Sequence, residues 1–453
     1  MARHRARRPA PVPQAPVELV IDSLTHEGRG VARLEGKALF VDGALPGERV
    51  TARYVACHRR YDEAVVETVL EASPDRVEAR CAHFGVCGGC SLQHMSDAAQ
   101  VHAKQQAVLE VLEHVGKVAP ERILEPLQAT PWGYRRKGRL SVKHVPKKGG
   151  VLVGFRERYS HYLAALETCE VLHPSVGRRL MVLRAFLTTL DARDRIPQVE
   201  LSVDDEERTA LVFRNLDPLS AADRERLTVF AAEQNVQVWL QPKGPDTVHP
   251  LAPEAPEPLI YAHPEFDVSI PFGPLDFVQV NRDINRAMVP RAIELLQLGP
   301  QNRVLDLFCG LGNFSLPLAR RAGQVVGVEG EAVMVARARD NATRNGIVNA
   351  EFHAADLAAS DVADATWARA GFDRILLDPP RAGAAGVMGL VGRLAPERIV
   401  YVSCNPATLA RDAETLVHTH GYRLEAAGVM DMFPHTAHVE SMAVFDREVA
   451  RKG

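Results

Sequence analysis

Arg303-Val304-Leu305-Asp306-Leu307-Phe308-Cys309-Gly310-Leu311-Gly312-Asn313-Phe314 sets the architecture of this chain. Its first five residues read as a strand, its glycines as a tight turn, and residues 313–321 as the helix that follows. The same order then repeats. Val325-Val326-Gly327-Val328 is a second strand and 332–345 a second helix, with further strands expected at Glu351–His353, Arg374–Leu377 and Ile399–Val402. Such alternation predicts an α/β domain over 271–453, an open, doubly wound, largely parallel sheet with helices on both faces.

The turn carries chemistry. Glycine lets a ligand approach the backbone closely. Glu329, nineteen residues after Gly310, closes the next strand where a nucleoside's ribose hydroxyls would be bound. Ser315 stands where a G-x-G-x-x-G fingerprint needs its third glycine, which argues against NAD. S-adenosylmethionine has no pyrophosphate and does not need that glycine, and Asp356, after the strand at 351–353, is placed to meet its adenine amine. The competing reading is a plain strand–helix turn; the acid at the ribose position tells against it.

In open α/β sheets ligands bind outside the carboxyl ends of the strands. Asp378-Pro379-Pro380-Arg381 and Ser403-Cys404-Asn405-Pro406 both fall at such ends. A thiolate at Cys404 suits addition to C6 of a pyrimidine, which makes C5 nucleophilic toward an electrophilic methyl group. A base must then remove the C5 proton. Glu440, 36 residues downstream in His438-Val439-Glu440-Ser441, is the candidate. Lone cysteines are commonly buried and inert, and strand glutamates commonly face water; proximity to a cofactor turn lifts both above that background.

Short strands punctuated by glycine over 17–72 predict a small OB-like β-barrel. Residues 73–270 read as a mixed α+β region with helices near 97–115 and 176–190. It holds Cys81-x5-Cys87-Gly88-Gly89-Cys90, metal-site spacing that wants a fourth ligand; Cys169 is preferred over Cys57 and Cys309. Zinc and an iron–sulfur cluster both fit, and a metal-free redox pair is the competing reading. Residues 134–148 contain seven Lys or Arg and no acid, with Trp132 and Tyr134 alongside. That suits phosphate contacts and base stacking, against the simpler alternative of a solvated face.

With 453 residues, 46% of them apolar, and a net charge of −3, nucleic-acid binding would have to rely on local basic patches. No apolar run reaches membrane-spanning length and no secretory apolar segment opens the chain. Residues 1–16 read as a disordered basic tail. Seven cysteines in so long a chain do not suggest a disulfide framework, so a cytoplasmic monomer is expected.

Together, the stretches 306–314, 377–381, 403–406 and 438–440 resemble the RNA uracil-C5 methyltransferases. The cysteine spacing and a TRAM-like barrel resemble their bacterial members that act on 23S rRNA, from about residue 16 to the C-terminus. The resemblance implies a class I methyltransferase domain using S-adenosylmethionine, bound by Gln279, Phe308, Asn313, Glu329, Asp356 and Asp378. It implies Cys404 as nucleophile, Glu440 as proton acceptor, and Cys81, Cys87, Cys90 and Cys169 as ligands of a [4Fe–4S] cluster serving structure and RNA binding. The implied substrate is uracil 1939 of 23S rRNA. The same chemistry on another rRNA uracil, or a non-catalytic RNA-binding module, are the readings it competes with.

Overall fold

The computed structural model describes residues 12–254, 256–359, 362–369 and 371–447, so most of the basic tail expected at 1–16 lies outside the described residues. The chain forms two compact units. The first comprises Met1–Lys104, Arg158–Ser160 and Pro434–His438; the second Gln105–Glu157, His161–Phe433 and Val439–Gly453.

In the first unit, β1 (Val17–Val20), β2 (Ser23–Leu24), β3 (Gly30–Leu34), β4 (Lys37–Asp42), β5 (Arg49–Cys57) and β6 (Tyr61–Glu71) make one sheet in the order β1-β5-β6-β4-β3-β2. Period-two alternation sends Leu19, Leu39, Val41, Val50 and Ala52 into its core. The buried Glu48 carboxylate takes both Arg76 Nε (2.5 Å) and Nη2 (2.7 Å), and accepts from the Leu45 and Ser73 amides. This pairing satisfies a charge that would otherwise be costly to bury.

The helix α1 (Asp97–His114) crosses the boundary between units. In the second unit, β7 (Arg122–Ile123) is followed by β8 (Lys137–Val145), β9 (Gly150–Gly154), β10 (Gln198–Val203), β11 (Thr209–Arg214), β12 (Val236–Leu240) and β13 (His249–Pro250). All but β7 form a sheet in the order β13-β12-β11-β10-β8-β9. Helices α2 (Pro174–Gly177), α3 (Leu180–Thr189) and α4 (Ala221–Gln234) accompany it, and Phe186 of α3 stacks on Phe230 of α4 at 4.0 Å. The helix expected over 176–190 is thus two pieces. Gly177 ends the first, where an added Cβ would lie 2.3 Å from the Cys169 carbonyl oxygen. Part of the basic segment is structural: Tyr134 and Arg136 are buried, the Lys137 ammonium donates to the Pro274 and Asp276 carbonyls, and Arg139 pairs with Glu200. Lys143, Lys147 and Lys148 remain exposed.

A hairpin of β14 (Leu259–His263) and β15 (Val268–Phe272) leads to α5 (Arg282–Leu296), capped by Asn281 Oδ1, which accepts from the Ile284 amide. Then comes the expected alternation: β16 (Arg303–Leu307), α6 (Ser315–Ala319), β17 (Gln324–Glu329), α7 (Ala332–Arg344), β18 (Ala350–Ala354), β19 (Arg374–Leu377), α8 (Met388–Leu394), β20 (Arg398–Ser403), α9 (Pro406–Glu414), β21 (Tyr422–Met430) and β22 (Glu440–Arg447). The sheet order is β18-β17-β16-β19-β20-β22-β21-β7. Strands β16 to β20 are parallel; β16, β17, β19 and β20 are largely apolar, as burial on both faces requires, while the edge strand β18 buries only Phe352. Chain direction along the order reverses between β16 and β19, the switch point where such sheets open a crevice. Strand β22 runs antiparallel to β20, so its first residue lies at the same edge as the carboxyl ends of the parallel strands. Among the described residues, no helix is long and apolar enough to cross a membrane.

Candidate active site

Leu307 and Leu377 pair in register, so Phe308 and Asp378, the residues after them, leave β16 and β19 side by side. Phe308 adopts φ of 68°, and Gly310 and Gly312 follow at 55° and 95°. Three left-handed residues turn the chain sharply away from the sheet, a geometry two of them manage because they lack Cβ. The turn consumes Asn313 and Phe314, which is why the helix begins at Ser315 rather than 313.

Glu329 ends β17 facing that turn. Its Oε2 accepts the Gly310 amide at 3.1 Å and its Oε1 the Gly330 amide at 2.7 Å. Beneath, the fully buried Asp306 accepts the Ser315 hydroxyl at 2.5 Å. Burial, with Asp378 and Glu329 as like-charged neighbours, pushes the Asp306 carboxyl up to about 8. The residue in place of a third glycine therefore serves the strand rather than a pyrophosphate. Asn313 is half-buried and held by His263 and Asn285. Gln279 lines a cavity with Asn285, Arg136, Arg282 and Arg286. Asp356 is exposed beyond β18, its carboxylate accepting the Ala358 amide at 2.9 Å.

Cys404 follows β20, whose partner register sets Ser403 opposite Ser441 and so brings Glu440 to the same edge. Asn405 clips the local loops together: its Oδ1 accepts from the Ala407 amide at 3.2 Å, capping α9, while its Nδ2 donates to the Arg381 carbonyl at 3.0 Å. Pro406 fills the first helical turn, where no amide proton is needed. The Asp412 carboxylate completes the anchor by accepting the Tyr401 hydroxyl and the Ala384 amide, both at 2.7 Å.

Burial raises all three titrating groups here, and the neighbouring carboxylates add to the shift of two of them. Burial lifts the Cys404 thiol, Glu440 and Asp378 add to the lift, and the Arg381 guanidinium opposes it. Glu440, only 8% exposed, is pushed up to about 8 by burial and by Asp378, again opposed by Arg381. Burial raises Asp378 to about 7. A thiol near two carboxyls that titrate close to neutrality can add to an electrophilic carbon, and a carboxyl in its ionised form can then accept a proton within the same pocket. Cys309, by contrast, is buried and its thiol is lifted well above the ordinary value, which leaves it inert.

Residues 274–448 match the tRNA (uracil-5-)-methyltransferase family and residues 16–66 the TRAM domain. The 23S rRNA (uracil(1939)-C(5))-methyltransferase RlmD of Alkalilimnicola ehrlichii is 57% identical over 99% of both chains. That of Alcanivorax borkumensis is 52% identical over 98% of this chain and 99% of its own. The chain belongs to the RlmD family of RNA uracil-C5 methyltransferases. Its fold is that of the Pyrococcus abyssi tRNA (uracil-54, C5)-methyltransferase solved with S-adenosyl-L-homocysteine: the TM-score is 0.71 at 24% identity, covering 95% of this chain and all of that one.

The cysteines of this RlmD-family chain are less complete as a site. Cys81, Cys87 and Cys90 lie in an irregular loop of the first unit, and Cys169 belongs to the second. The Gly89 amide donates to Cys87 Sγ at 3.4 Å, and burial lifts that thiol. Among the described residues, no group of three or more His, Cys, Asp or Glu is gathered to hold a metal ion. The donors fit an iron–sulfur or zinc site in kind, since all are sulfur and one already receives an amide hydrogen bond.

Sequence reasoning singled out Cys404, Glu440 and the strand-end acids. It assigned no role to Arg381, Asn405, Asp412, His263 or Asn285. Only Arg381 and Asn405 stood inside quoted motifs; the others carry no local signal.

Proposed function

We propose that the protein methylates C5 of uracil 1939 of 23S rRNA, using S-adenosylmethionine. The observation that carries this reading is the meeting of Cys404, Glu440, Asp378 and Arg381 at the sheet edge that also bears the glycine turn and Glu329. The cofactor supplies an electrophilic methyl group. Gln279, Phe308, Asn313, Glu329, Asp356 and Asp378 would hold it, with Glu329 suited to the ribose hydroxyls and Asp356 to the adenine amine. Cys404 attacks C6 of the flipped uracil as thiolate, forming the Sγ–C6 bond and making C5 nucleophilic. C5 takes the methyl group as its bond to the cofactor's sulfur breaks and S-adenosylhomocysteine leaves; the Glu440 carboxylate then removes the C5 proton, the C5–C6 double bond re-forms, and the C–S electrons return to Cys404 as thiolate. Arg381 favours the ionised forms of both groups, offsetting burial. Glu440 must be deprotonated before it acts, so the rate should rise with pH toward about 8.

Cys81, Cys87 and Cys90, with Cys169, would hold a [4Fe–4S] cluster in a structural and RNA-binding role, and the TRAM domain would contact the same RNA in the cytoplasm. The test is incubation of the protein with S-adenosylmethionine and 23S rRNA from a strain lacking this modification, with the product mapped by mass spectrometry. A single methyl on C5 of uracil 1939 is expected. Methylation of a different uracil would retain the chemistry and reassign the substrate, and RNA binding without methylation would overturn the reading.

A further inference from the structure

His263 ends β14 outside every motif of the cofactor turn, and it is 2% exposed. Its Nε2 lies 3.0 Å from Asn313 Oδ1. Asn285, on α5, pairs reciprocally with the same amide: Asn285 Nδ2 donates to Asn313 Oδ1 at 3.0 Å, and Asn313 Nδ2 donates to Asn285 Oδ1 at 3.1 Å. An amide oxygen has two acceptor sites and an amide nitrogen two hydrogens. His263 and Asn285 together fill both sites on Oδ1, and Asn285 takes one hydrogen from Nδ2. One N–H is left over, on a residue that is only partly buried.

We propose that His263 is a positioning residue for cofactor binding: with Asn285 it locks Asn313 in one rotamer and one amide orientation, so that the turn presents a preset donor to S-adenosylmethionine. The inference rests on the function proposed above. An asparagine amide otherwise rotates over a broad, roughly two-fold range about its last torsion. The lock removes that freedom before the ligand arrives, which is where preorganisation gains affinity. Because Oδ1 can only accept, the imidazole must carry its proton on Nε2. The buried Nδ1, which has no hydrogen-bond partner among the described residues, is then bare, and the ring is neutral. Burial pulls the imidazolium pKa down in agreement. Asn285 also lines the cavity that holds Gln279, so the lock joins two cofactor-binding positions.

The test uses the full chain and S-adenosylhomocysteine as the calorimetric probe, with melting temperature recorded separately. His263→Phe keeps a ring and removes the donor; His263→Gln keeps a donor; Asn285→Ala sits in a helix that tolerates alanine. His263→Phe and Asn285→Ala should each weaken binding about 3- to 10-fold. The KM for S-adenosylmethionine should rise to match while kcat at saturation holds, and His263→Gln should restore binding to within about twofold. Wild-type affinity in both His263→Phe and Asn285→Ala, whatever their melting temperatures, would overturn the lock and make His263 a core residue only. If His263→Phe does not fold, Asn285→Ala and His263→Gln decide. Wild-type protein that fails to bind the probe would instead sink the proposed function, and this inference with it.

Discussion

The carboxyl edge of the eight-stranded sheet and the cysteine loop at 81–90 bring reactive side chains together by opposite means. At the sheet edge, backbone ladders do the positioning. Phe308, Asp378 and Cys404 follow the ends of adjacent parallel strands, and the reversed β22 delivers Glu440 to the same place. The cysteine loop is made of turns with a single bridge at Cys87, no group of three or more His, Cys, Asp or Glu is gathered to hold a metal ion among the described residues, and the fourth expected ligand belongs to the other unit. Strand ends are placed by the fold alone, whereas the ligands of a metal site in general acquire their final geometry with the metal.

The largest effect should come from Cys404→Ala, which removes the only nucleophile the proposed chemistry has. Methyl incorporation into rRNA should fall to background while S-adenosylhomocysteine still binds, and wild-type turnover in this variant would refute the assignment. Glu440→Gln should slow turnover by about 10²- to 10⁴-fold. It should also trap a denaturant-resistant protein–RNA adduct, because C5 keeps its proton and the thiol cannot be expelled. An equally slow variant with no adduct would place Glu440 before covalent attack rather than after it.

Cys87→Ser should act elsewhere. If Cys87 holds the proposed cluster, its loss should cost the first unit several kcal/mol and weaken RNA binding, with S-adenosylhomocysteine affinity in the second unit unchanged. Iron content and absorbance of the purified variant, read with a melting curve, check this. Equal loss of cofactor affinity would mean that the sheet edge depends on the loop after all.

The smallest effect is a pH dependence of stability. Glu440 titrates at about 8 in the folded chain, against an ordinary 4.5. A folded-state pKa above the unfolded one means stability is fully present below pH 4.5 and is lost as pH rises toward 8. Glu440→Gln should therefore be more stable than wild type by about 2–3 kcal/mol at pH 7, the gap closing below the unfolded pKa. Denaturant melts across that range would show it, and a gap that widens on acidification would contradict the buried, proton-holding Glu440.

Much of this was legible in the sequence where local pattern determines structure. Val304 to Leu307 and Ile375 to Leu377 are continuous apolar runs because both faces of their strands are covered, and the glycines at 310 and 312 mark the turn they permit. Side-chain clamps were not legible, because they join residues far apart in sequence. His263 reaches Asn313 across 50 positions, and Tyr401 and Asp412 fix the loop after Asp378 through a contact no spacing rule encodes. The basic segment misled in part for the same reason: charge count does not reveal that Arg136 and Lys137 turn inward to carbonyls.

The most direct test of the central claim replaces the target uracil with 5-fluorouracil in an rRNA fragment and adds S-adenosylmethionine. Fluorine on C5 cannot leave as a proton, so Glu440 has nothing to remove and the Cys404–C6 bond persists. The predicted result is a protein–RNA adduct that survives denaturing electrophoresis, carries one transferred methyl group, maps to Cys404, and is missing with Cys404→Ala. Well-folded protein that binds both ligands and forms no adduct would contradict covalent catalysis at this sheet edge.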